Sequence, residues 1–288
     1  MPKGKIDLHS HTTFSDGSFP PADLVALARA KELKALAVTD HDTIEGLAEA
    51  VGAGERMGVE IIPGIEISAD YPPGTLHILG YFIDYRSAKL KEALKEIQEA
   101  RVRRNPEIAK KLAALGVPVT MEEAVAESGG GQVGRPHFAQ VLVKKGYVKD
   151  TEEAFEKYLT KGAPAYVEKR RVLPEEGIRL IEDAGGIAAL AHPVQLRART
   201  AEEFYKTLDR LIALGLKAIE AYSSCQTEKE AFFFNEAGRR RGIFVTGGSD
   251  FHGALKPGVE LGGMGKWAGL DYGVVEEMKK FIGKRKTR

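Results

Sequence analysis

Two stretches decide the fold: Lys5-Ile6-Asp7-Leu8-His9-Ser10-His11 and Lys34-Ala35-Leu36-Ala37-Val38-Thr39-Asp40-His41-Asp42. Each is a short apolar run with β-strand character that closes on histidine and aspartate. Between them, Pro21–Leu33 has a helical apolar pattern opened by a proline pair; proline suits the first helical turn, where its missing N–H would have had no partner. Strand, helix, strand is a βαβ unit. Outward from it the rhythm continues with helix Thr43–Gly58 and strands Val59–Ile67 and Thr75–Ile83. Later come helix Pro174–Ala184, strand Gly186–Ala191, helix Ala201–Leu214, strand Ala218–Tyr222, helix Thr227–Arg241 and strand Ile243–Thr246. Strands alternating with helices of this length predict a parallel α/β architecture.

One segment breaks the alternation. From about Ser87 to Lys169 the pattern is helical and rich in Lys and Glu, with helices over Ala88–Arg104, Glu107–Leu115, Met121–Glu127, His137–Lys145 and Thr151–Leu159. A segment without strands cannot extend a sheet. The expected division is therefore a barrel from residues 1–86 and 170–288, carrying an inserted helical subdomain at 87–169. The basic tail Lys284–Arg288 is expected to fray.

Composition narrows the function classes. The 288 residues are 43% apolar and 29% charged, and 42 basic against 41 acidic side chains leave a net charge of +1. A general nucleic-acid coat is far more basic. The single cysteine, Cys225, rules out an intrachain disulfide and suits a reducing cytoplasm. No apolar run has signal-peptide or membrane-spanning form. These features read as a soluble cytoplasmic protein, with neither a membrane nor a stable protein partner implied.

The seven histidines carry the chemistry. His9 and His11 stand two apart, and on a strand residues i and i+2 share a face. His41 follows the second strand, Glu66 lies late in the third, His192 ends the strand before Pro193, and Asp250 and His252 follow the strand ending at Thr246. In a closed parallel barrel the C-terminal strand ends meet at one mouth. Five strands delivering His, Asp or Glu there is hard to explain by packing. Imidazole with carboxylate suits Zn²⁺, Mn²⁺ or Fe²⁺, and the lack of thiolates argues against a purely structural zinc. More ligands than one ion needs imply a multinuclear cluster able to clamp a phosphoryl group. Asp16, in Ser15-Asp16-Gly17, reads equally as a turn residue or a ligand; Asp7, Asp40 and Asp42 read as groups that orient ligands or cap the backbone.

The segments Asp7-Leu8-His9-Ser10-His11, Ser15-Asp16-Gly17, Thr39-Asp40-His41-Asp42, Pro63-Gly64-Ile65-Glu66, Ala191-His192-Pro193 and Ser249-Asp250-Phe251-His252 resemble, in order and over nearly the whole chain, the PHP (polymerase and histidinol phosphatase) family. The resemblance implies a distorted (β/α)₇ barrel and a site of two or three divalent ions. It implies a first ion at His9, His11, Glu66 and Asp250, a second at Asp16, His41 and His252, and a third at Glu66, His77 and His192. His77 lies early in its strand, where the barrel argument does not place a ligand; only the resemblance promotes it. Relatives with histidine at the position of Asp16 make Mn²⁺ the favoured metal, with Zn²⁺ or Fe²⁺ as alternatives.

Gly134-Arg135-Pro136-His137-Phe138 and Lys161-Gly162-Ala163-Pro164-Ala165-Tyr166-Val167 resemble the branch with 3′,5′-nucleoside bisphosphate phosphatases and 5′-to-3′ exoribonucleases. A second phosphate needs cationic partners away from the metals, and arginine offers a planar fork. Arg135 and His137 are the first candidates, and Arg101 and Arg104, at i and i+3 of one helix, the second pair. The expected reaction is hydrolysis of the 3′-phosphate of a 3′,5′-bisphosphonucleotide by a metal-bridging hydroxide, with the general acid unassigned. The alternatives are 5′-to-3′ trimming of short 5′-phosphorylated RNA and, in another class, a non-catalytic metal-binding accessory domain.

Overall fold

The computed structural model describes residues 4–71, 74–128, 133–167, 172–263 and 271–286, with side chains for all of these except 100–102 and 286. Seven strands form one sheet in chain order: β1 (Lys5–Asp7), β2 (Leu33–Val38), β3 (Glu60–Ala69), β4 (Leu76–Tyr81), β5 (Ile187–Leu190), β6 (Ala218–Ser223) and β7 (Phe244–Gly248). Helices α1 (Pro21–Ala30), α2 (Leu47–Met57), α7 (Pro174–Asp183), α8 (Ala201–Ala213) and α9 (Glu228–Arg240) accompany the strands. Helices α3 (Ala88–Ala114), α4 (Met121–Glu127), α5 (Arg135–Lys144) and α6 (Thr151–Ala154) fill the break between β4 and β5, and α10 (Gly273–Lys286) ends the description.

The sheet is parallel as expected except at one strand. β4 runs antiparallel to both β3 and β5, whereas the other neighbouring pairs are parallel. The physical reason is loop length. A parallel return needs a crossover of roughly a dozen residues, and only residues 70–75 separate β3 from β4. The chain must fold straight back, pairing Ser68 with His77 and Ala69 with Leu76. The start of β4 therefore lies at the same end of the sheet as the ends of the parallel strands.

The sheet closes between β1 and β7. Leu8 N–H donates to the Gly247 carbonyl at 3.2 Å and Asp250 N–H to that of His9 at 2.9 Å. A Cβ built on Gly248 would lie 2.2 Å from the His9 Cβ, so only glycine allows this approach. Gly248→Ala is expected to destabilise the fold by about 3 kcal/mol through overpacking, read as a lowered midpoint in chemical denaturation. An unchanged midpoint would show that the closure has slack.

Inside the barrel Ile6, Leu8, Ala35, Ala37, Leu79, Tyr81 and Ala189 pack with Val275 and Met278 of α10. That helix plugs the end where strands begin, since Tyr272 just before it donates to the Gly4 carbonyl and to Glu60. The basic tail read as frayed is in part the last turn of α10, which runs to Lys286; residues 287–288 lie outside the described residues. Outside the barrel a second apolar layer includes Leu36, Val38, Ile65, Ile67, Leu208 and Phe234. The helical segment has a core of its own, with Ile108, Leu112, Phe138, Leu142 and Leu159. Two helices expected on either side of Asn105-Pro106 are one, α3, with Pro106 inside it. A proline removes a single N–H from the ladder, and Asn105 beside it ties the helix to its neighbours by donating to the Val133 carbonyl at 2.9 Å.

Candidate metal centre

The barrel mouth gathers side chains from six strands and one loop. His9 and His11 follow β1, His41 follows β2, Glu66 lies in β3, His77 near the start of β4, His192 just past β5, and Asp250 and His252 past β7; Asp16 comes from the loop before α1. Six of the chain's seven histidines thus meet in one place. The reversal of β4 accounts for His77: an early residue of an antiparallel strand sits where late residues of parallel strands sit. The rule that ligands sit at late strand positions holds for parallel strands alone, and His77 lies on the antiparallel one.

Glu66 organises the cluster. Its Oε2 lies 3.1 Å from His9 Nε2, 3.2 Å from His11 Nε2 and 3.2 Å from His41 Nδ1, while Oε1 lies 2.7 Å from His77 Nδ1 and 2.9 Å from His192 Nε2. One carboxylate faces two sets of imidazoles with opposite oxygens. Asp250 Oδ1 stands 3.5 Å from His9 Nε2 and 3.4 Å from His11 Nε2. Asp16 stands 3.4 Å from His252 Nε2 and 3.8 Å from His41 Nε2. The donor atoms fall into four overlapping groups, each within 4.8 Å: His9, His11, Asp250; His9, Glu66, His192; His41, Glu66, His77; and His11, Asp16, His41, His252.

The electrostatics fit cations. Burial works against an ionised Glu66, yet His41, His9 and His77 hold its carboxyl well below the usual range. Asp250 and Asp16 are likewise held down against burial, by His9 and His252 and by His41 and His252. The imidazoles split. Burial disfavours a charged His11, but hydrogen bonds to Asp250 and Glu66 push it up to about 10. His41 is driven down to about 3 by burial, helped by the like charges of His11 and His77. Three buried atoms, Asp16 Oδ1, His41 Nδ1 and His192 Nδ1, make no hydrogen bond, at a cost of about 1–3 kcal/mol each. Oxygen and nitrogen lone pairs left bare beside ionised carboxylates suit divalent ions of the Mn²⁺, Fe²⁺ and Zn²⁺ kind.

Backbone geometry is spent here as well. Asp42, His192 and Asp250 have φ of 53°, 22° and 55°, a region that side chains with a Cβ adopt at a cost. Around the cluster, carboxylates of the strand ends hold the backbone. Asp7 accepts from the N–H of His9 at 3.2 Å and of Gly262 at 2.7 Å. Asp40 accepts from Thr12 N–H at 2.7 Å and the Ser15 hydroxyl at 2.6 Å, and Asp42 from Ser68 N–H at 2.9 Å.

Glu220 escaped the sequence reading. It sits in the apolar run of β6, fully buried, with Oε1 2.9 Å from His9 Nδ1 and Oε2 accepting from His192 N–H at 2.7 Å. The available signal was a lone carboxylate in an otherwise apolar strand. By fixing the His9 tautomer it leaves Nε2 bare toward Glu66 and Asp250. Glu220→Gln is expected to weaken divalent-metal affinity about 10- to 100-fold, measured by titration of the metal-free protein with Mn²⁺; equal affinity would reduce Glu220 to a packing role.

A cavity opens beside the cluster, lined by Asp16, His41, Ser68, His77, Arg104, Arg135, Phe155 and Tyr166. The Arg135 guanidinium donates to the Leu159 carbonyl at 2.9 Å and lies 5.5 Å from the Tyr166 ring and 5.8 Å from that of Phe155. Phe155 and Leu159 bound a π-helical turn. Arg104, largely buried, donates to Asn105 Oδ1 at 2.9 Å. Of the remaining candidates for substrate contact, the Arg101 side chain lies outside the described residues. His137 belongs elsewhere: it is buried, and its Nδ1 accepts from Gly134 N–H at 2.9 Å, which binds it to the entry of α5.

Comparison with known proteins agrees with this geometry. The PHP domain profile matches residues 7–168. The chain is 35% identical over 263 residues to the 3′,5′-nucleoside bisphosphate phosphatase of Chromobacterium violaceum, covering 89% of this chain and 90% of the relative. It is 36% identical over 262 residues to a 5′-3′ exoribonuclease of Escherichia coli, covering 89% and 87%. Among solved structures, a Chromobacterium violaceum amidohydrolase with bound sulfate and no metal superposes with a TM-score of 0.82 at 34% identity over 90% of both chains. A Bifidobacterium adolescentis protein with the provisional name of metal-dependent phosphoesterase gives 0.83 at 30% identity over 96% of both. With its seven-stranded barrel and its gathered histidines and carboxylates, the chain belongs to the PHP family of metal-dependent phosphoesterases, hydrolases that act on phosphate esters.

Proposed function

We propose that the enzyme removes the 3′-phosphate of a 3′,5′-bisphosphonucleotide. Its ions, Mn²⁺ favoured, would be held by His9, His11, Glu66 and Asp250, by Asp16, His41 and His252, and by Glu66, His77 and His192. Divalent ions at such sites neutralise phosphoryl oxygens and make water a nucleophile at neutral pH. The residues named here hold and orient, and Glu220 fixes His9. The observation that carries the substrate reading is the cavity wall of Arg104, Arg135 and Tyr166 directly beside His41 and His77. A 5′-phosphate on the two guanidinium groups places the ribose across the cavity and its 3′-phosphate at the cluster, while Tyr166 offers a face to the base.

The helical segment, residues 87–169, supplies all three of those side chains and so serves as the substrate-binding subdomain. His137 contributes by holding the loop that presents Arg135. Cytoplasmic location is part of the same proposal; no described helix is long and apolar enough to cross a membrane.

A second reading, trimming of short 5′-phosphorylated RNA, rests on the cavity continuing past the cluster to Gln140, Thr151, Gln195 and Lys256, where a further nucleotide attached to the phosphorus would lie. The deciding experiment supplies adenosine 3′,5′-bisphosphate and a 5′-phosphorylated oligonucleotide to the Mn²⁺-loaded enzyme. Release of inorganic phosphate from the first, with kcat/KM above that for the second, supports the phosphatase; nucleotide release from the oligonucleotide alone favours the nuclease. Turnover of neither would remove both substrate readings, and failure on generic phosphate monoesters and diesters as well would favour a non-catalytic metal-binding domain.

A further inference from the structure

Lys256 plays no part in the phosphatase scheme above, yet it borders the cavity at the cluster and pairs with Asp250. Its Nζ donates to Asp250 Oδ2 at 2.6 Å, while the other oxygen of Asp250 faces His9 and His11. Its side chain is one-third exposed, and it borders the cavity with His192, Gln195, His252 and Leu255. The backbone that carries it is pinned: Ala254 N–H donates to Ser18 Oγ at 2.9 Å, and Lys256 N–H to the Gly253 carbonyl at 3.2 Å. A fixed ammonium therefore lines the same cavity as Arg135, while Arg104 and Arg135 line its neighbour beside His41 and His77.

An ammonium has three N–H donors, and among the described residues Asp250 is the one hydrogen-bond acceptor of Lys256 Nζ. Once Asp250 shares its charge with a cation through Oδ1, it neutralises less of Lys256. The remaining charge and donors then face the space that the phosphoryl group occupies in the proposed reaction.

We propose that Lys256 is a specificity-determining residue that favours a terminal phosphate monoester over a phosphodiester. A monoester carries a second negative charge and an additional free oxygen near neutral pH; a diester carries one charge and presents an ester oxygen in that place. A charged hydrogen bond to the extra oxygen stabilises only the monoester. The inference rests on the phosphatase reading and deepens it, giving the enzyme a means of sorting mononucleotides from chains.

The test measures kcat/KM of the Mn²⁺-loaded enzyme for adenosine 3′,5′-bisphosphate and for the 5′-phosphorylated adenosine dinucleotide, in the wild type and in Lys256→Met, Lys256→Gln and Lys256→Arg. The monoester-to-diester ratio is expected to fall about 30-fold in the Met and Gln variants and to recover to within about 3-fold in the Arg variant. If Lys256 merely holds Asp250, both substrates slow together and the ratio stays put, which overturns the inference. A ratio lost in Met but kept in Gln makes the donor and not the charge responsible, and overturns it too. Loss of both activities in both uncharged variants also counts against it, because charge selection leaves the diester route standing. Failure of the wild type to release phosphate from the bisphosphate would instead sink the underlying phosphatase reading.

Discussion

Asp250→Asn and His9→Ala enzymes are expected to lose turnover at least about 10³-fold on any phosphate ester. Asp250 Oδ1 stands within 3.5 Å of three imidazole nitrogens, those of His9, His11 and His252, and His9 Nε2 is shared between Glu66, His11 and Asp250. Removing either takes a donor from the most crowded part of the cluster. Asp250→Asn keeps the size of the side chain while removing the charge that balances His9, His11 and Lys256. Its fold should therefore survive, and its Mn²⁺ content should drop. The measurements are kcat with adenosine 3′,5′-bisphosphate, metal content after dialysis, and far-UV circular dichroism. A well-folded Asp250→Asn protein with wild-type metal content and wild-type kcat would remove Asp250 from the proposed ligand set.

How much of this was legible in the sequence follows from what each pattern encodes. Apolar periodicity is local, so the strands and helices of the barrel stand near their expected places. Strand direction is not local. It was written in the six residues 70–75, whose shortness forbids a crossover, and missing that made His77 look misplaced. The chemistry of the mouth was legible because histidine and carboxylate at the ends of apolar runs have no packing reason to recur. Glu220 was hidden for the opposite cause: it lies inside its apolar run, and only the fold shows that its face meets His9 and His192.

Side chains whose role is set by tertiary contact were the least legible. Arg135 and His137 stand two apart in one Gly-Arg-Pro-His turn, yet the first reaches the cavity wall and the second turns back to cap its own backbone. A helix start separates them by direction, and sequence spacing does not show which way each points. Pro106 is a similar case. A proline in a polar run usually ends a helix, but α3 packs through Ile108 and Leu112 onto Phe138 and its neighbours, and tertiary burial outweighs the single lost N–H.

Arg135→Ala is expected to raise KM for adenosine 3′,5′-bisphosphate about 10²-fold while kcat changes by less than about 3-fold. The guanidinium is fixed before substrate arrives, by the Leu159 carbonyl on one side and the rings of Phe155 and Tyr166 on the others. A prefixed fork loses little freedom on binding a phosphate, so its contact is strong, and it touches a group that does not react. An interaction equal in the ground and transition states lowers KM without raising kcat. Arg135→Lys should recover only part of the loss, since a single ammonium cannot reproduce the planar pair of donors or the stacking on Tyr166. A substrate lacking the 5′-phosphate supplies the internal control: wild type and Arg135→Ala should handle it with similar kcat/KM. A KM effect that persists on that truncated substrate would mean that Arg135 shapes the cavity without meeting the 5′-phosphate, and the assignment of that wall to the distal phosphate would fall.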